Sequence, residues 1–339
     1  MVTVGILKLI EDGEVSLDTE LRKFIPEFDL TNIFKRVRTK TGEVKTSENL
    51  TPITIKHLLT HTAGLSYGFF GQAVPLDKIY AENLPNMRGP EKATKDQMHS
   101  NLKEFVNKLA ELPLIREPGT FWWYSHSFDV LGYLIEVISG KYLDDFLKES
   151  IFDKVGMHDT TFIVPEEKID RVAKIYEKND ESNILIEINR EKFIKCLSGG
   201  GGLYSTLEDY LKFCEMILHN GMVGNTQILT QKSISTMLSN HLPNGKSVSE
   251  IGPYVPGTKD HELWKGTGYG LGGWVKQDEN LWKCGVGTYS WMGIANTYFH
   301  IDPTNQVISI ILPQRLPRSN FTWPLEWKEY INLVYEGLK

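Results

Sequence analysis

The chain has 339 residues and a formal net charge of −6, with 41% hydrophobic and 11% aromatic side chains. That is enough apolar material for a large core, most naturally in two lobes. The acidic balance argues against nucleic acid as a main partner.

The apolar start MVTVGILKLI is too short to span a bilayer, and it runs without a basic lead-in into Glu11-Asp12-Gly13. Neither a membrane span nor a signal peptide is expected there. Lys35, Arg36, Arg38, Lys40 and Lys45 make a basic run. Alternating Val37, Thr39 and Val44, Thr46 around Thr41-Gly42 predict a solvated hairpin. Helical patterns dominate from about Thr54 to about Leu238, broken by Pro- and Gly-rich loops at Leu84–Pro90 and around Pro118. His57 and His61 stand four apart, a spacing that metal sites use, but without the glutamate of H-E-x-x-H or an evident third ligand. No metal or cofactor is expected. Ser100 reads as the N-cap of the amphipathic segment NLKEFVNKLAELPL, with Glu104 in its first turn. Pro118-Gly119 predict a turn before a helix whose apolar face carries Val130, Leu131, Leu134, Ile135 and Ile138, with Gly140 as its C-cap. Ser205 and Glu208 read as a capping box opening LEDYLKFCEMIL, and Gly199 to Gly202 permit a tight turn before it. YGLGGWVKQ, TYFHID and QVISIILP alternate as strands, and WKEYINLVYEGL closes as an amphipathic helix. The cysteines, Cys196, Cys214 and Cys284, are odd in number and include no C-x-x-C, which fits reduced thiols and a cytoplasmic location.

Tyr124, in PGTFWWYSHSFDVLGYLIEVISG, is the first candidate for chemistry. A loop tyrosine held by a long apolar helix can aim its phenol at a substrate, although a phenol near pKa 10 needs a neighbouring cation to act as a base. Four segments in order, IKHLLTHTAGL, the Tyr124 segment, LSGGGGLYSTLEDYLKF and TYSWMGIANTYFHIDP, resemble the penicillin-recognising serine hydrolases. These are the class C β-lactamases, the DD-peptidases and, nearest in pattern, their carboxylesterase and acyltransferase relatives.

The resemblance implies an α/β plus all-α fold of the β-lactamase/DD-peptidase type. An antiparallel sheet flanked by helices would form one lobe from residues 1–29 and 245–339, with a mainly helical lobe, 30–244, inserted. The chain would be N-terminally truncated, lacking the family's early strands. The chemistry implied is acyl transfer by a serine whose proton passes to a lysine in S-x-x-K, with Tyr124 assisting and two N–H groups holding the oxyanion. Matching VTVGILKLIEDGEVSLD to the family helix places that serine and lysine ahead of Met1. Ser100-Asn101-Leu102-Lys103 is a literal S-x-x-K in a peripheral helix, and Lys40-Thr41-Gly42 sits in the hairpin instead of on a late strand. Trp291-Met292-Gly293 occupies the position of the esterases' Trp-Gly-Gly, which makes Trp291 and Gly293 candidate substrate contacts and the Ile294 N–H a candidate oxyanion donor. His126 stands where relatives carry asparagine or a small polar residue, and is a candidate substrate contact.

The expectation is a β-lactamase-related serine hydrolase of the carboxylesterase or acyl-transfer type, inactive as written for want of its nucleophile. The alternative is a natural non-catalytic relative that binds a ligand or partner. The expected ligand is a small-molecule ester or acyl compound.

Overall fold

A computed structural model of the chain describes residues 1–37, 44–68, 75–84, 95–178, 185–188, 197–252, 265–280, 282–316 and 325–338. Lys40-Thr41-Gly42 and Cys196 lie outside them. The chain divides into two compact units, the first made of Met1–Ile151, Ile194–Gly202 and Ile251–Pro256, the second of Phe152–Phe193, Leu203–Glu250 and Gly257–Lys339. The first helix belongs to the first unit, where it packs on the helices around residues 127–147.

In the first unit, α1 (Val2–Glu11) buries nearly its whole length from Val2 to Leu9. Gly5 lets it approach α5 (Ser127–Ser139) and α6 (Leu143–Leu147): a Cβ on Gly5 would lie 3.0 Å from Ile135 and 3.2 Å from Phe146. A helix buried all round must pack against several partners, and α1 does so. β1 (Asn32–Val37) and β2 (Val44–Glu48) pair antiparallel from Asn32↔Glu48 to Val37↔Val44, the hairpin read from the alternation. α2 (Ile55–Leu59) is short, α3 runs Pro75–Asn83, and α4 runs Lys95–Ala110 and packs on α5. Because α4 starts at Lys95, Ser100 lies inside the helix and is not its N-cap. α5 ends as its sequence demands, on Gly140 at φ +67°, the left-handed geometry that glycine adopts without strain.

In the second unit, α7 (Asp153–Val155) leads to β3 (Ile175–Lys178) and β4 (Leu185–Ile188). α8 (Leu207–Leu218) follows, capped by Thr206, whose side chain accepts from the Asp209 N–H at 3.1 Å. The cap is therefore one residue later than Ser205, whose hydroxyl instead meets Thr160. β5 (Met222–Val223) and β6 (Thr226–Gln227) form a small hairpin before α9 (Gln231–Met237). The main sheet is antiparallel and five-stranded, in the order β11-β10-β9-β8-β7. Its strands are β7 (Thr267–Tyr269), β8 (Trp274–Lys276), β9 (Tyr289–Met292), β10 (Tyr298–Asp302) and β11 (Val307–Ile311). YGLGGWVKQ is thus not one strand but a hairpin, turned at Gly272 with φ +83°.

The sheet's two faces follow from period-2 alternation. Phe299 and its strand neighbours meet α8, where Tyr210 packs edge-on at 5.2 Å. His300 and Asp302 face the last helix, Leu325–Gly337, whose Tyr335 hydroxyl donates to Asp302 at 2.5 Å. Lys276 is buried at the end of β8 and donates to the carbonyls of Trp282 (2.6 Å), Glu279 (3.4 Å) and Cys284, clasping the loop that returns to β9. A further sheet was not legible in the sequence: β12 (Arg315–Leu316) lies parallel beside β3, which pairs with β4. Among the described residues no helix is long and apolar enough to cross a membrane.

Candidate functional site

In the first unit, four chain segments converge at the head of α5. The strand-like run ahead of it is pinned by its backbone: the Gly119 N–H donates to Thr62 at 2.8 Å, the Trp123 N–H to His61 at 2.8 Å, and the His126 N–H to Ser66 at 3.3 Å. The Trp123 indole N–H donates to Ser66 Oγ at 2.8 Å, and Ser66 Oγ donates to the buried Asp77. These bonds hold Tyr124 half-buried between two rings. His61 meets it edge-on at 4.9 Å and Tyr67 stacks on it at 4.9 Å. Burial pushes the Tyr124 phenol up to about 12; a hydrogen bond from Tyr67 pulls the other way, and Asp129 adds to the rise.

His126 turns inward. Its Nδ1 lies 2.7 Å from Asp129 Oδ2 and its Nε2 lies 3.1 Å from the Tyr67 carbonyl oxygen. Both ring nitrogens therefore face acceptors within the chain. Asp129, fully buried on α5, also accepts from Ser198 Oγ and, at 3.3 Å, from the Gly200 N–H. The Gly-rich run thus serves close approach: a Cβ on Gly199 would lie 1.9 Å from the Phe128 carbonyl oxygen.

His57 and His61 do not form a pair. His57 closes a capping box with Thr54, accepting at Nδ1 from the Thr54 N–H (3.2 Å) while Thr54 Oγ1 accepts from the His57 N–H (3.3 Å). His61 lies beyond the helix end at φ +52°. Its Nδ1 sits 3.3 Å from Ser125 Oγ, which in turn meets Ser127 Oγ at 2.8 Å. Such a serine–histidine contact suggests a nucleophile and its base, but burial lowers the His61 pKa to about 3. A base that weak takes little of a serine's proton at neutral pH. Ser100 fares no better, since Lys103, its partner in the single S-x-x-K of the chain, is exposed on α4. A lysine base needs desolvation or a neighbouring cation.

In the second unit, Trp291 on β9 packs edge-on against Trp274 (4.9 Å) and Tyr269 (5.6 Å). Gly293 opens the turn into β10: its N–H donates to Thr297 at 2.8 Å and its carbonyl accepts from the Asn296 N–H at 3.0 Å. A Cβ there would lie 2.3 Å from Thr297 Oγ1, so a larger residue at this position would have to turn the Thr297 hydroxyl aside. Ile294 is 54% exposed, and among the described residues no partner is recorded for its N–H. The turn is fixed from outside by the Arg315 N–H donating to Ala295 (3.0 Å) and Asn296 Nδ2 donating to the Arg315 carbonyl (2.9 Å).

A family model described as Beta-lactamase matches residues 1–327. The chain belongs to the β-lactamase family. Serine hydrolases and acyltransferases make up this family, and the mixed helix-and-antiparallel-sheet fold expected from the four motifs is the one found. Protein Rv1367c of Mycobacterium tuberculosis is 28% identical over 326 residues, covering 93% of this chain and 75% of that protein. The lovastatin esterase of Penicillium rubens is 28% identical over 330 residues, covering 91% of this chain and 76% of the esterase. Unliganded simvastatin synthase (LovD) of Aspergillus terreus superposes with a TM-score of 0.78 at 22% identity, over 100% of this chain and 82% of that one, a likeness of fold.

Sequence reasoning singled out Tyr124 and His126 here but missed Tyr67, Asp129 and Ser198. One signal was available: Asp129 is a carboxylate inside the buried face of an apolar helix, and buried charges come paired.

Proposed function

We propose that the chain supplies the scaffold and the proton-transfer tyrosine of a serine hydrolase or acyl-transfer enzyme acting on small-molecule esters. In this reading Tyr124 handles the proton, Trp291 and Gly293 shape the substrate side, and the Ile294 N–H is one oxyanion donor. His126, with both nitrogens engaged within the chain, contributes through its ring and not through a hydrogen bond to substrate. The lovastatin esterase supports the ester as substrate class, and the tryptophan in place of a lysine argues the same way, since it offers no cation to a β-lactam carboxylate. The free, buried thiols of Cys214 and Cys284 suit the reducing compartment this reading assigns.

The observation that carries the proposal is the seat of Tyr124: backbone bonds on either side of it, from the Trp123 and His126 N–H groups, hold its ring between His61 and Tyr67 at the head of α5. A lysine beside Tyr124 is what the family chemistry adds. This reading expects no acyl-enzyme on Ser100, whose Lys103 is exposed, or on Ser125, whose neighbour His61 is a weak base. Incubation with a serine-directed phosphonate followed by peptide mass spectrometry tests this. The expected result is an unmodified chain; a stoichiometric adduct on any serine, Ser100 and Ser125 included, would overturn it. Peptide mapping of the protein from its natural source adds the complementary test, because peptides with S-x-x-K ahead of Met1 would make Tyr124 catalytic.

A second reading, a non-catalytic relative that binds a ligand, is favoured by the inward turn of His126. It expects saturable binding of an ester to the natural protein without turnover, measured by calorimetry.

A further inference from the structure

Tyr124 touches a phenol that no motif named. Tyr67 follows the HTAGL turn of the first unit and lies against Tyr124 with an interplanar angle of 29°. Tyr67 also lies against the His126 ring, with centroids 4.1 Å apart, and Phe105 meets that ring edge-on at 4.7 Å. Tyr67 thus touches both Tyr124 and His126, and His126 has a partner at each ring nitrogen. His126 Nε2 holds the Tyr67 backbone carbonyl, and Nδ1 holds Asp129 on α5. Asp129 in turn is fixed by Ser198 and by the Gly200 N–H. Gly200 also leaves room for the Tyr67 hydroxyl, since a Cβ there would sit 3.1 Å from Tyr67 Oη and 3.2 Å from Asp129 Oδ2.

We infer that Tyr67 is a positioning residue for Tyr124, donating a hydrogen bond to its phenol oxygen from a seat fixed by the His126–Asp129 pair. The inference rests on the reading of Tyr124 as the proton-transfer group. The arrangement explains why asparagine is not needed after Tyr-Ser: the histidine orders Tyr67, and Tyr67 supplies the donor. A side chain that only filled space would fix the Tyr124 ring but leave its hydroxyl chemistry unchanged. A donor stabilises the phenolate over the phenol, and its loss is read directly in the ionisation of Tyr124.

The test places a difluorotyrosine, which ionises at lower pH than tyrosine, at position 124 of the full chain and follows its fluorine resonance against pH. Tyr67→Phe keeps the stacked ring and removes the donor. The expected result is a roughly tenfold fall in the acid dissociation constant at position 124, the worth of one hydrogen bond of ~1.4 kcal/mol. O-methyltyrosine at position 67, which keeps the oxygen but cannot donate, should reproduce the shift and covers the case in which Tyr67→Phe folds poorly. His126→Asn, which cannot span Asp129 and the Tyr67 carbonyl together, should shift the midpoint the same way by a smaller factor. A midpoint unchanged or lowered in both position-67 variants would overturn the inference. The titration involves no serine chemistry, so a phosphonate adduct can overturn the expectation that the chain is not acylated without touching this result, and the reverse.

Discussion

Asp129 is the residue on which the head of α5 depends. It is fully buried, and its two oxygens serve His126, Ser198 and the Gly200 N–H. A buried carboxylate costs several kcal/mol in desolvation unless it is paired, so the sequence tolerates it here only because three donors converge on it. Removing the carboxylate would leave His126 Nδ1 without its acceptor and free the Gly-rich run. Asp129→Ala is expected to lose about 3 kcal/mol of unfolding free energy in urea, at the low end of what breaking a buried pair costs. Asp129→Asn keeps the shape and some acceptor capacity and should lose less. Equal losses in the two variants would mean that packing, not charge, is what the site uses.

At the scale of elements, the approach of the Gly-rich run to α5 is the most constrained feature. With the Cβ of an alanine only 1.9 Å from the Phe128 carbonyl oxygen, Gly199→Ala must push the run away from the helix, against bonds from Ser198 and Gly200 to Asp129. Backbone is on the receiving side, so no rotamer change relieves the clash. We expect a loss of about 2–3 kcal/mol, the upper range for overpacking, seen as a lower urea midpoint. Thr206→Ala at the N-cap of α8 removes one side-chain acceptor and should cost about 1 kcal/mol.

The same elements show what could be read in advance. α5 was legible because apolar periodicity and the glycine stop agree, and β10 and β11 because alternation extends through both. The start of α4 was not, since its first turns carry few apolar residues and the one visible capping signal, Ser100, sits inside the helix. The pairing of β12 with β3 was invisible because it joins a two-residue strand to a distant segment, leaving no periodic signal. In the site, Tyr124 stood out by motif. Tyr67, Ser198 and Asp129 did not, because what defines them is contact across long loops, which composition and spacing do not encode.

In each unit burial holds a histidine well below its ordinary pKa, His61 in the first and His300 in the second, and this shapes the response to acid. In the first unit burial lowers His61 to about 3. In the second, burial lowers His300 to about 4, against a smaller opposing effect of Asp302. The His300 nitrogens have no hydrogen-bond partner among the described residues, and Tyr335 stacks over the ring at 5.9 Å. Unfolded, both rings bind a proton near pH 6.5. Between that pH and the folded value the unfolded chain holds more protons, so stability falls as pH falls. The stabilising difference is complete above about pH 6.5 and gone for His300 by about pH 4 and for His61 by about pH 3. For His300 the integrated loss is about 3 kcal/mol, from 1.4 kcal/mol per unit. Carboxylates held low by hydrogen bonds, Asp302 among them, act with the same sign at lower pH. His300→Leu separates these contributions. It removes two desolvated ring nitrogens without emptying the space beneath the last helix, so at pH 7 the variant should be at least as stable as the parent. Urea unfolding at pH 7, 5.5 and 4 should then show the variant losing less stability with acid than the parent. If the two lose stability in parallel, the acid response belongs to the carboxylates, and the buried ring of His300 plays no part in it.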